Sequence, residues 1–267
     1  MFWLNGKRAD SVTLTDRSFQ YGDGCFTTML TRNGQIQHWQ KHIDRMNACL
    51  DVLLIPRPDW KQVEKWLDQA VRSEPLAGIK IHISRGAGGR GYSPTQVTSP
   101  NVTISAFIYP PHYEQWSADG VTLGVCQTRL GLNPMLAGHK HNNRLEQIMV
   151  KAELDDLQLP DGVVLDINGN VIETSMANLF WVKDGVVYTP ALTHAGVSGV
   201  MRRVVLEVLE KLQIRSSVGH FELDNVLAAD EVFISNSILG VAPIRQISSA
   251  NFEIGTITKR IQETIDS

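Results

Sequence analysis

Two stretches decide how this chain folds: GHKHNNRLEQ at residues 138–147 and VIETSMANLF at residues 171–180. The first has Lys140 ahead of apolar residues at helical spacing, which predicts a lysine just before or at a helix N-terminus. An electropositive helix start disfavours the ammonium form, and a lysine attacks carbonyl groups as the neutral amine. The second stretch has Glu173 in an apolar strand, where a carboxylate needs a cationic partner. Taken singly, a solvated lysine and a salt-bridged glutamate explain these residues too.

Composition limits the class of protein. The 267 residues are enough for one large domain or two smaller ones, and 43% hydrophobic with 20% charged residues is typical of a soluble globular protein. A net charge of −3 gives no basic excess for nucleic acid or an anionic membrane, and no apolar run is long enough to span a bilayer. The sequence therefore predicts a soluble protein without nucleic-acid or membrane partners.

Cysteine and histidine usage points to a reducing compartment. The three cysteines lie far apart without a Cys-x-x-Cys pair, which argues against a disulfide framework or a zinc site. His139 and His141 are the histidine pair closest in sequence, and two ligands without a third do not make a metal site. We therefore expect a cytoplasmic protein without a bound metal.

The first half of the chain has the pattern of a small α+β domain. Asn5-Gly6 and Asn33-Gly34 each separate two potential strands, and Asn-Gly suits the type I′ turn of a hairpin. A helix is predicted from Trp39 to Leu53, because apolar residues recur there at spacings of four and three. The predicted boundaries are residues 1–112 for this domain, 113–119 for a linker and 120–267 for a larger second domain.

The segment RGAGGRGY at residues 85–92 contains the letters of a dinucleotide-binding Gly-x-Gly-x-x-Gly motif. The residues that follow are Ser-Pro-Thr rather than an apolar helix that could hold a pyrophosphate, so the context excludes that function. What remains is a flexible loop with two arginines, which could clamp a carboxylate substrate. A simple surface turn is the alternative interpretation.

The segment GVSGVMRR at residues 196–203 opens a predicted helix in the second half of the chain. Amide groups at a helix N-terminus bind phosphate well, and small residues let a ligand approach closely. Ser198 as an ordinary N-cap explains the same pattern.

Taken together, these segments resemble the fold type IV enzymes that use pyridoxal 5′-phosphate (PLP). The resemblance extends to QYGDGCFTT at residues 20–28, HIDRM at residues 42–46, NLF at residues 178–180 and ISNSI at residues 234–238. It implies an α+β fold with a small N-terminal α/β domain, a larger C-terminal domain of mostly antiparallel strands, and an active site between them.

The resemblance also implies the cofactor contacts. In this family a lysine carries PLP, a glutamate bonds the pyridine nitrogen and keeps it protonated, and an arginine and a helix start bind the phosphate. The residues that match these roles are Lys140, Glu173, Arg45, Val197, Ser198, Asn236 and Ser237, with Asn178 in support.

Within the family, the chain is most similar to the aminodeoxychorismate lyases. This resemblance rests on the first stretch, on RGAGGRGYS at residues 85–93 and on FTT at residues 26–28, where many aminotransferases have glutamate in place of Thr27. Asn142 departs from the pattern, because close lyase relatives carry an apolar residue there. The implied reaction converts 4-amino-4-deoxychorismate to 4-aminobenzoate and pyruvate.

The lyase resemblance assigns catalytic roles as well. Lys140 would be the base for the C4 hydrogen, and Thr28 or Thr27 would relay a proton to the leaving enolpyruvate. The candidates for binding the substrate carboxylates are Arg90, Tyr92 and Arg144. Family members are usually homodimers, so a homodimer is expected. The alternatives are a branched-chain or D-amino acid aminotransferase of the same fold and a non-catalytic PLP-binding protein.

Overall fold

The computed structural model describes residues 1–97 and 99–266, which divide into two compact units. The first unit comprises Met1–Tyr109 and His139–Asn143, and the second comprises Pro110–Gly138 and the described residues from Arg144 onward. The stretch that contains Lys140 thus clusters with the N-terminal half, although it lies far along the chain. The domain boundaries proposed from the sequence stay predictions.

The first unit is a six-stranded antiparallel sheet with three helices. Its elements in chain order are β1 (Phe2–Leu4), β2 (Lys7–Arg8), α1 (Arg17–Tyr21), β3 (Gly24–Arg32), β4 (Gln35–Ile36), α2 (Trp39–Val52), α3 (Trp60–Ala70), β5 (Leu76–Ser84) and β6 (Asn101–Ile108). The strand order is β2-β1-β6-β5-β3-β4.

Both predicted Asn-Gly hairpins of the first unit are confirmed. Leu4 pairs with Lys7 and Arg32 pairs with Gln35, which leaves two-residue turns in each case. The turn residues all have positive φ, as a type I′ turn requires: 49° and 78° at Asn5-Gly6, and 47° and 79° at Asn33-Gly34.

Strand β3 has two different faces. Cys25, Thr27 and Met29 are fully buried in the core that the sheet forms with α2 and α3. Phe26 and Thr28 are only half-buried, and they point to the opposite face because side chains alternate along a strand. The predicted helical stripe is confirmed, since α2 buries its apolar residues in this core. The face on which each side chain of β3 lies therefore follows from its position along the strand.

The second unit contains a nine-stranded mixed sheet and five helices. Its elements in chain order are α4 (His112–Asp119), β7 (Val121–Val125), α5 (Leu145–Asp156), β8 (Asp161–Leu165), β9 (Val171–Thr174), β10 (Asn178–Lys183), β11 (Val186–Pro190), α6 (Val200–Lys211), β12 (Ser216–Gly219), α7 (Leu223–Leu227), β13 (Glu231–Asn236), β14 (Gly240–Ile247), β15 (Ala250–Asn251) and α8 (Thr256–Asp266).

The strand order in this sheet is β12-β11-β10-β13-β14-β7-β8-β9, with β15 beside β14. Antiparallel pairs outnumber parallel ones, because only β11–β12, β14–β7 and β7–β8 are parallel among the described residues. The residues predicted as an irregular linker, 113–119, are helical and belong to α4.

The central strands β10 and β13 are buried on both faces. Phe180 and Phe233 stack with their ring centroids 4.9 Å apart on the face that α6 and α8 cover. Leu179 and Trp181 face the opposite core. A continuous apolar run such as LFWV at residues 179–182 is typical of a strand buried on both sides, and the polar residue Asn178 directly precedes it.

Three helices end in the same way, each with a left-handed residue just after the C-cap. These residues are Leu54 after α2, Gln158 after α5 and Gln213 after α6, with φ of 55°, 55° and 56°. The next amide donates back into the helix at 2.9 Å in each case: Ile55 to Leu50, Leu159 to Leu154 and Ile214 to Leu209. This is the hydrogen bond of a Schellman motif, built here without glycine.

Helix α5 exposes most of the apolar stripe from which it was predicted. Leu145, Ile148 and Met149 are 74%, 61% and 61% exposed, whereas Val150 and Leu154 on another face are buried.

Within residues 1–97 and 99–266, no helix combines the length and apolar character needed to cross a membrane.

Candidate active site

The stretch around Lys140 lies alongside the start of β3. The Phe26 amide donates to the Lys140 carbonyl at 3.0 Å, the Asn142 amide donates to the Gly24 carbonyl at 2.9 Å, and His141 bridges to Cys25. The stretch that contains Lys140 is thus hydrogen-bonded to β3. The prediction that Lys140 lies just before or at a helix N-terminus is wrong, because α5 begins five residues later, at Leu145.

The ring of Phe26 brings two lysines together on one face of the first unit. The Nζ atom of Lys140 lies 4.6 Å from the ring centroid, and the Nζ atom of Lys80 lies 4.5 Å from the same centroid. Burial lowers the pKa of Lys80. Lys80 lies directly across from Thr28 in the β3–β5 ladder, so both side chains point to the face that carries Phe26.

Lys80 is not among the site residues predicted from the sequence. Its only signal was the alternation of polar and apolar residues along β5, and alternation does not say which strand lies alongside or in which register. The pairing of Thr28 with Lys80 and of Phe26 with His82 supplies that information.

Thr27 points away from both lysines. Its Oγ1 atom accepts a hydrogen bond from Nη2 of Arg45 at 2.5 Å and lies 2.6 Å from Nδ1 of His42. Burial, followed by the charges of Arg45 and His38, lowers the pKa of His42 well below its ordinary value. The neutral imidazole can accept a hydrogen bond from the Thr27 hydroxyl, which leaves the oxygen lone pairs for Arg45. Thr27 thus orients Arg45, and Thr28 is the threonine on the face near Lys140.

The two arginines of the predicted loop have different surroundings. Arg85 is largely buried, binds Asp23 through Nε at 2.7 Å and donates to the carbonyls of Leu53 and Leu54. Arg90 is exposed, and so is Tyr92, whose ring contacts Tyr21 at a centroid distance of 5.6 Å. Arg85 therefore binds residues of the first unit, whereas the Arg90 side chain is exposed to solvent.

In the second unit, Glu173 and Asn178 hold one turn of the backbone. Glu173 is 6% exposed, and its Oε2 atom accepts from the Val197 amide at 3.0 Å. Asn178 donates through Nδ2 to the Val197 carbonyl at 2.8 Å and accepts at Oδ1 from the Gly199 amide at 3.1 Å. These buried bonds fix the chain where it enters α6.

Helix α6 starts with Gly199 as its N-cap, and among the described residues no side chain caps it. Ser198 is one residue too early to be the N-cap, and its side chain is exposed. Its amide donates to the Gly138 carbonyl, whereas the Gly138 amide donates to the Gly196 carbonyl. The first-turn amides of α6 have no intrahelical acceptor and suit an anion such as phosphate.

Polar side chains also occur at the end of β13 and in the turn that follows it. Asn236 accepts at Oδ1 from the amides of Ile238 and Leu239, so it shapes the turn in which Ser237 is half-buried. Ser235 pairs with Asn178 across the sheet. Its buried Oγ atom has no hydrogen-bond partner within residues 1–97 and 99–266, as expected for a group that meets a ligand.

Arg144 and Arg202 belong to the second unit as well. Arg144 is the N-cap residue of α5 and is half-buried. Arg202 lies in the first turn of α6, donates to the Pro190 carbonyl at 3.0 Å and has its pKa lowered by burial. Arg202 is not among the site residues predicted from the sequence, although the Gly-x-x-Arg spacing at the start of α6 is a signal for it.

Comparison with known proteins adds three findings. The model of the family described as amino-transferase class IV matches residues 24–247. The chain is 55% identical to an aminodeoxychorismate lyase of Vibrio harveyi over the full length of both proteins. It is 28% identical to a putative branched-chain-amino-acid aminotransferase of Methanocaldococcus jannaschii, with 98% of this chain and 93% of that protein covered.

Among solved structures, the fold is similar to the crystal structure of a 4-amino-4-deoxychorismate lyase from Pseudomonas aeruginosa. The TM-score is 0.93 at 33% identity, and the alignment covers 99% of this chain and 98% of that one. The fold predicted from the sequence is confirmed by this similarity.

Proposed function

Because this chain belongs to the class IV aminotransferase family, we propose that it is a PLP-dependent lyase that converts 4-amino-4-deoxychorismate to 4-aminobenzoate and pyruvate. The observation that carries the proposal is the 55% identity, over the whole chain, to a protein with that activity in its name. The similarity to an aminotransferase is only 28%, which favours the lyase within a family that contains both activities.

The described residues fit PLP as cofactor. The start of α6 without a side-chain cap suits a bound anion, and so does the buried Oγ atom of Ser235, which has no hydrogen-bond partner among the described residues. The carboxylate of Glu173, which the Val197 amide holds in place, suits a protonated ring nitrogen. PLP supplies a carbonyl carbon for a substrate amine and a protonated ring that withdraws electrons. In the proposed arrangement, Arg45, Val197, Ser198, Asn236 and Ser237 bind its phosphate.

The chain itself links the lysine to this set of residues. Gly138 exchanges backbone hydrogen bonds with Gly196 and Ser198, and Lys140 follows two residues later, which spans at most about 7 Å of chain. We propose that Lys140 is the attachment point of PLP, because its backbone is fixed while its side chain lies over the Phe26 ring.

Lys140 is then the base for the proton on C4 of the substrate, and the C3–O bond breaks as the ring becomes aromatic. Thr28 relays a proton to the leaving enolpyruvate, a role supported by its place on the face that carries Phe26. Thr27 supports Arg45 instead.

The substrate carboxylates need cations, and three side chains are proposed for them. Lys80 lies on the face of Lys140 and Thr28, and Arg90 is exposed beside Tyr92. Arg144 is the third cation, four residues after Lys140. A substrate with two carboxylates favours such a cluster, because Arg and Lys bind carboxylates through charge-assisted hydrogen bonds.

The test is to incubate PLP-loaded protein with 4-amino-4-deoxychorismate while 4-aminobenzoate is followed by fluorescence and pyruvate by a coupled assay. Both products should form in equal amounts with wild type, and neither should form with Lys140→Ala. If neither product forms but the PLP-loaded protein transfers an amino group from a branched-chain or D-amino acid to a keto acid, an aminotransferase replaces the lyase. A protein that binds PLP but carries out neither reaction would contradict both activities.

A homodimer and a cytoplasmic location are part of the proposal. The exposed stripe of α5, formed by Leu145, Ile148 and Met149, is the surface proposed to meet a second copy of this chain. Adjacent apolar side chains on one helix face commonly mark such an interface. Light scattering should give twice the mass of one chain, and Ile148→Glu should give the monomer. Val218→Glu, on the exposed strand β12, is the matched control.

A further inference from the structure

Arg17 is a buried cation that binds the backbone of the loop at residues 85–93. It is the first residue of α1 and only 3% exposed. Its Nη1 atom donates to the Gly91 and Ser93 carbonyls at 3.1 and 3.2 Å, and its Nη2 atom donates to the Tyr92 carbonyl at 3.1 Å. One guanidinium group thus holds three consecutive carbonyl groups directly after Arg90.

The part of the loop that precedes Arg90 is hydrogen-bonded to residues 15–17. The Arg17 amide donates to the Gly86 carbonyl at 2.9 Å, and the Gly88 amide donates to the Thr15 carbonyl at 3.3 Å. The ring of Tyr21, at the end of α1, contacts both Tyr92 and the guanidinium group of Arg17. Arg90 is therefore exposed at the tip of a loop that is held on both sides.

The charges of Arg17, Arg85 and Asp23 explain why the backbone carbonyl groups of residues 91–93 are needed as acceptors. Asp23 accepts at Oδ2 from Nε of both Arg17 and Arg85, at 2.8 and 2.7 Å. Burial raises the pKa of Asp23, but the hydrogen bonds from Arg85 and Arg17 outweigh it, so the net shift is downward. One carboxylate faces two guanidinium groups, and the remaining positive charge is met by carbonyl oxygens.

A lysine at position 17 could not make the same contacts. Arg17 uses three nitrogens in a planar fork to reach four acceptors, whereas a lysine has one nitrogen and three donors. The arrangement is specific for a guanidinium group.

We propose that Arg17 is a positioning residue that sets the conformation of the 85–93 loop and thereby the affinity of Arg90 for a substrate carboxylate. Arg17 itself does not touch the substrate in this proposal, because its side chain is buried and four of its five N–H donors are occupied. The part that concerns the substrate rests on the proposed function, whereas the part that concerns the loop does not.

The loop is tested first, without any substrate. Trypsin cleaves after exposed arginines in mobile segments, and Arg90 is such a residue once the loop is released. Limited digestion of PLP-loaded Arg17→Lys should cut after Arg90 about tenfold faster than wild type, as judged by mass spectrometry. Arg57→Lys, in an exposed ion pair with Asp51, is the control and should be cut like wild type.

An unchanged rate in a folded Arg17→Lys protein would overturn the proposal. If that variant does not fold, Tyr21→Ala removes the ring contacts of α1 but keeps the buried ion pairs. It should open the same site by a smaller factor, and an unchanged rate in Tyr21→Ala would also overturn the proposal. Arg90→Met removes the cleavage site and identifies the product.

The kinetic test separates the loop from the chemistry. Arg17→Lys should raise KM for 4-amino-4-deoxychorismate about tenfold and leave kcat within about twofold. The dissociation constant of PLP and the visible absorbance of the bound cofactor should stay at wild-type values. A fall in kcat at unchanged KM would contradict the proposed role. If cleavage after Arg90 rises but wild type forms no product, the lyase assignment fails and the role of Arg17 in the loop stands.

Discussion

Glu173 and Lys140 are held in opposite ways. Glu173 is 6% exposed in β9, and its carboxylate is itself bonded to the Val197 amide. Lys140 is half-buried in a stretch that is fixed to β3 by backbone hydrogen bonds, with its amine beside an aromatic ring. The difference suits the roles proposed for the two residues, because the carboxylate proposed to meet the ring nitrogen is held directly, whereas the amine proposed to react is positioned through the backbone of its stretch.

The largest expected effect is that of Lys140→Ala. Turnover should fall by about 10³-fold or more, because the proposed attachment point of PLP and the proposed base are lost together. The unfolding free energy should change by less than about 0.5 kcal/mol, since the backbone bonds that hold the stretch remain. Activity assays and chemical denaturation measure the two effects. A large loss of stability would show that the lysine side chain, and not the backbone, holds this stretch.

Glu173→Gln and Glu173→Ala separate the effect of the carboxylate charge from that of its hydrogen bond with the Val197 amide. Glutamine can still accept from the Val197 amide but lacks the charge, so kcat should fall by about 10²-fold with little loss of stability. Alanine leaves a buried amide without its acceptor, which should cost about 1–3 kcal/mol as well. Denaturant titrations of both variants decide this, and equal stability of the two would mean that the hydrogen bond contributes nothing.

The two threonines of β3 sharpen the comparison within one strand. Thr27→Val removes the acceptor of Arg45 and should raise the dissociation constant of PLP about tenfold. Thr28→Val should leave PLP binding unchanged and lower kcat. Fluorescence titration with PLP and steady-state kinetics test both, with Thr27→Ser as the variant that restores binding. If both valine variants changed the dissociation constant of PLP and kcat in the same way, Thr27 and Thr28 would not act from opposite faces of β3.

The smallest expected effect concerns acid stability. The pKa of Asp23 is lowered from its ordinary value of 3.8, so its stabilising contribution is present above that pH and is lost as the pH falls through the folded-state pKa. Asp23→Asn should therefore be less stable at neutral pH and lose less stability below pH 3.8 than wild type. Asp51→Asn, in an exposed pair, is the control and should follow wild type closely. Thermal unfolding across this pH range gives the answer.

Local patterns predicted the parts of the fold that depend on local geometry. The Asn-Gly turns and the stripe of α2 follow from spacing and turn chemistry, which are properties of neighbouring residues. The motif around Lys140 could be matched to a family for the same reason, since its residues are contiguous.

The features that the sequence did not predict depend on contacts between distant residues. Lys80 joins Lys140 only through the register of β3 with β5, and Arg17 reaches a loop more than seventy residues away. The faces of Thr27 and Thr28 could not be assigned before it was known which side of β3 packs against α2. The stripe of α5 indicated a helix correctly, but periodicity alone does not distinguish a core face from an exposed one.

The left-handed residues after α2, α5 and α6 offer a route to a more thermostable protein. Leu54, Gln158 and Gln213 hold positive φ at a steric cost that glycine does not have, and Leu54 is 83% exposed. Glycine at each position should gain about 0.5–2 kcal/mol, as optimised helix caps commonly do. None of the three belongs to the proposed catalytic set, so the fold can be made more heat-resistant without altering its chemistry.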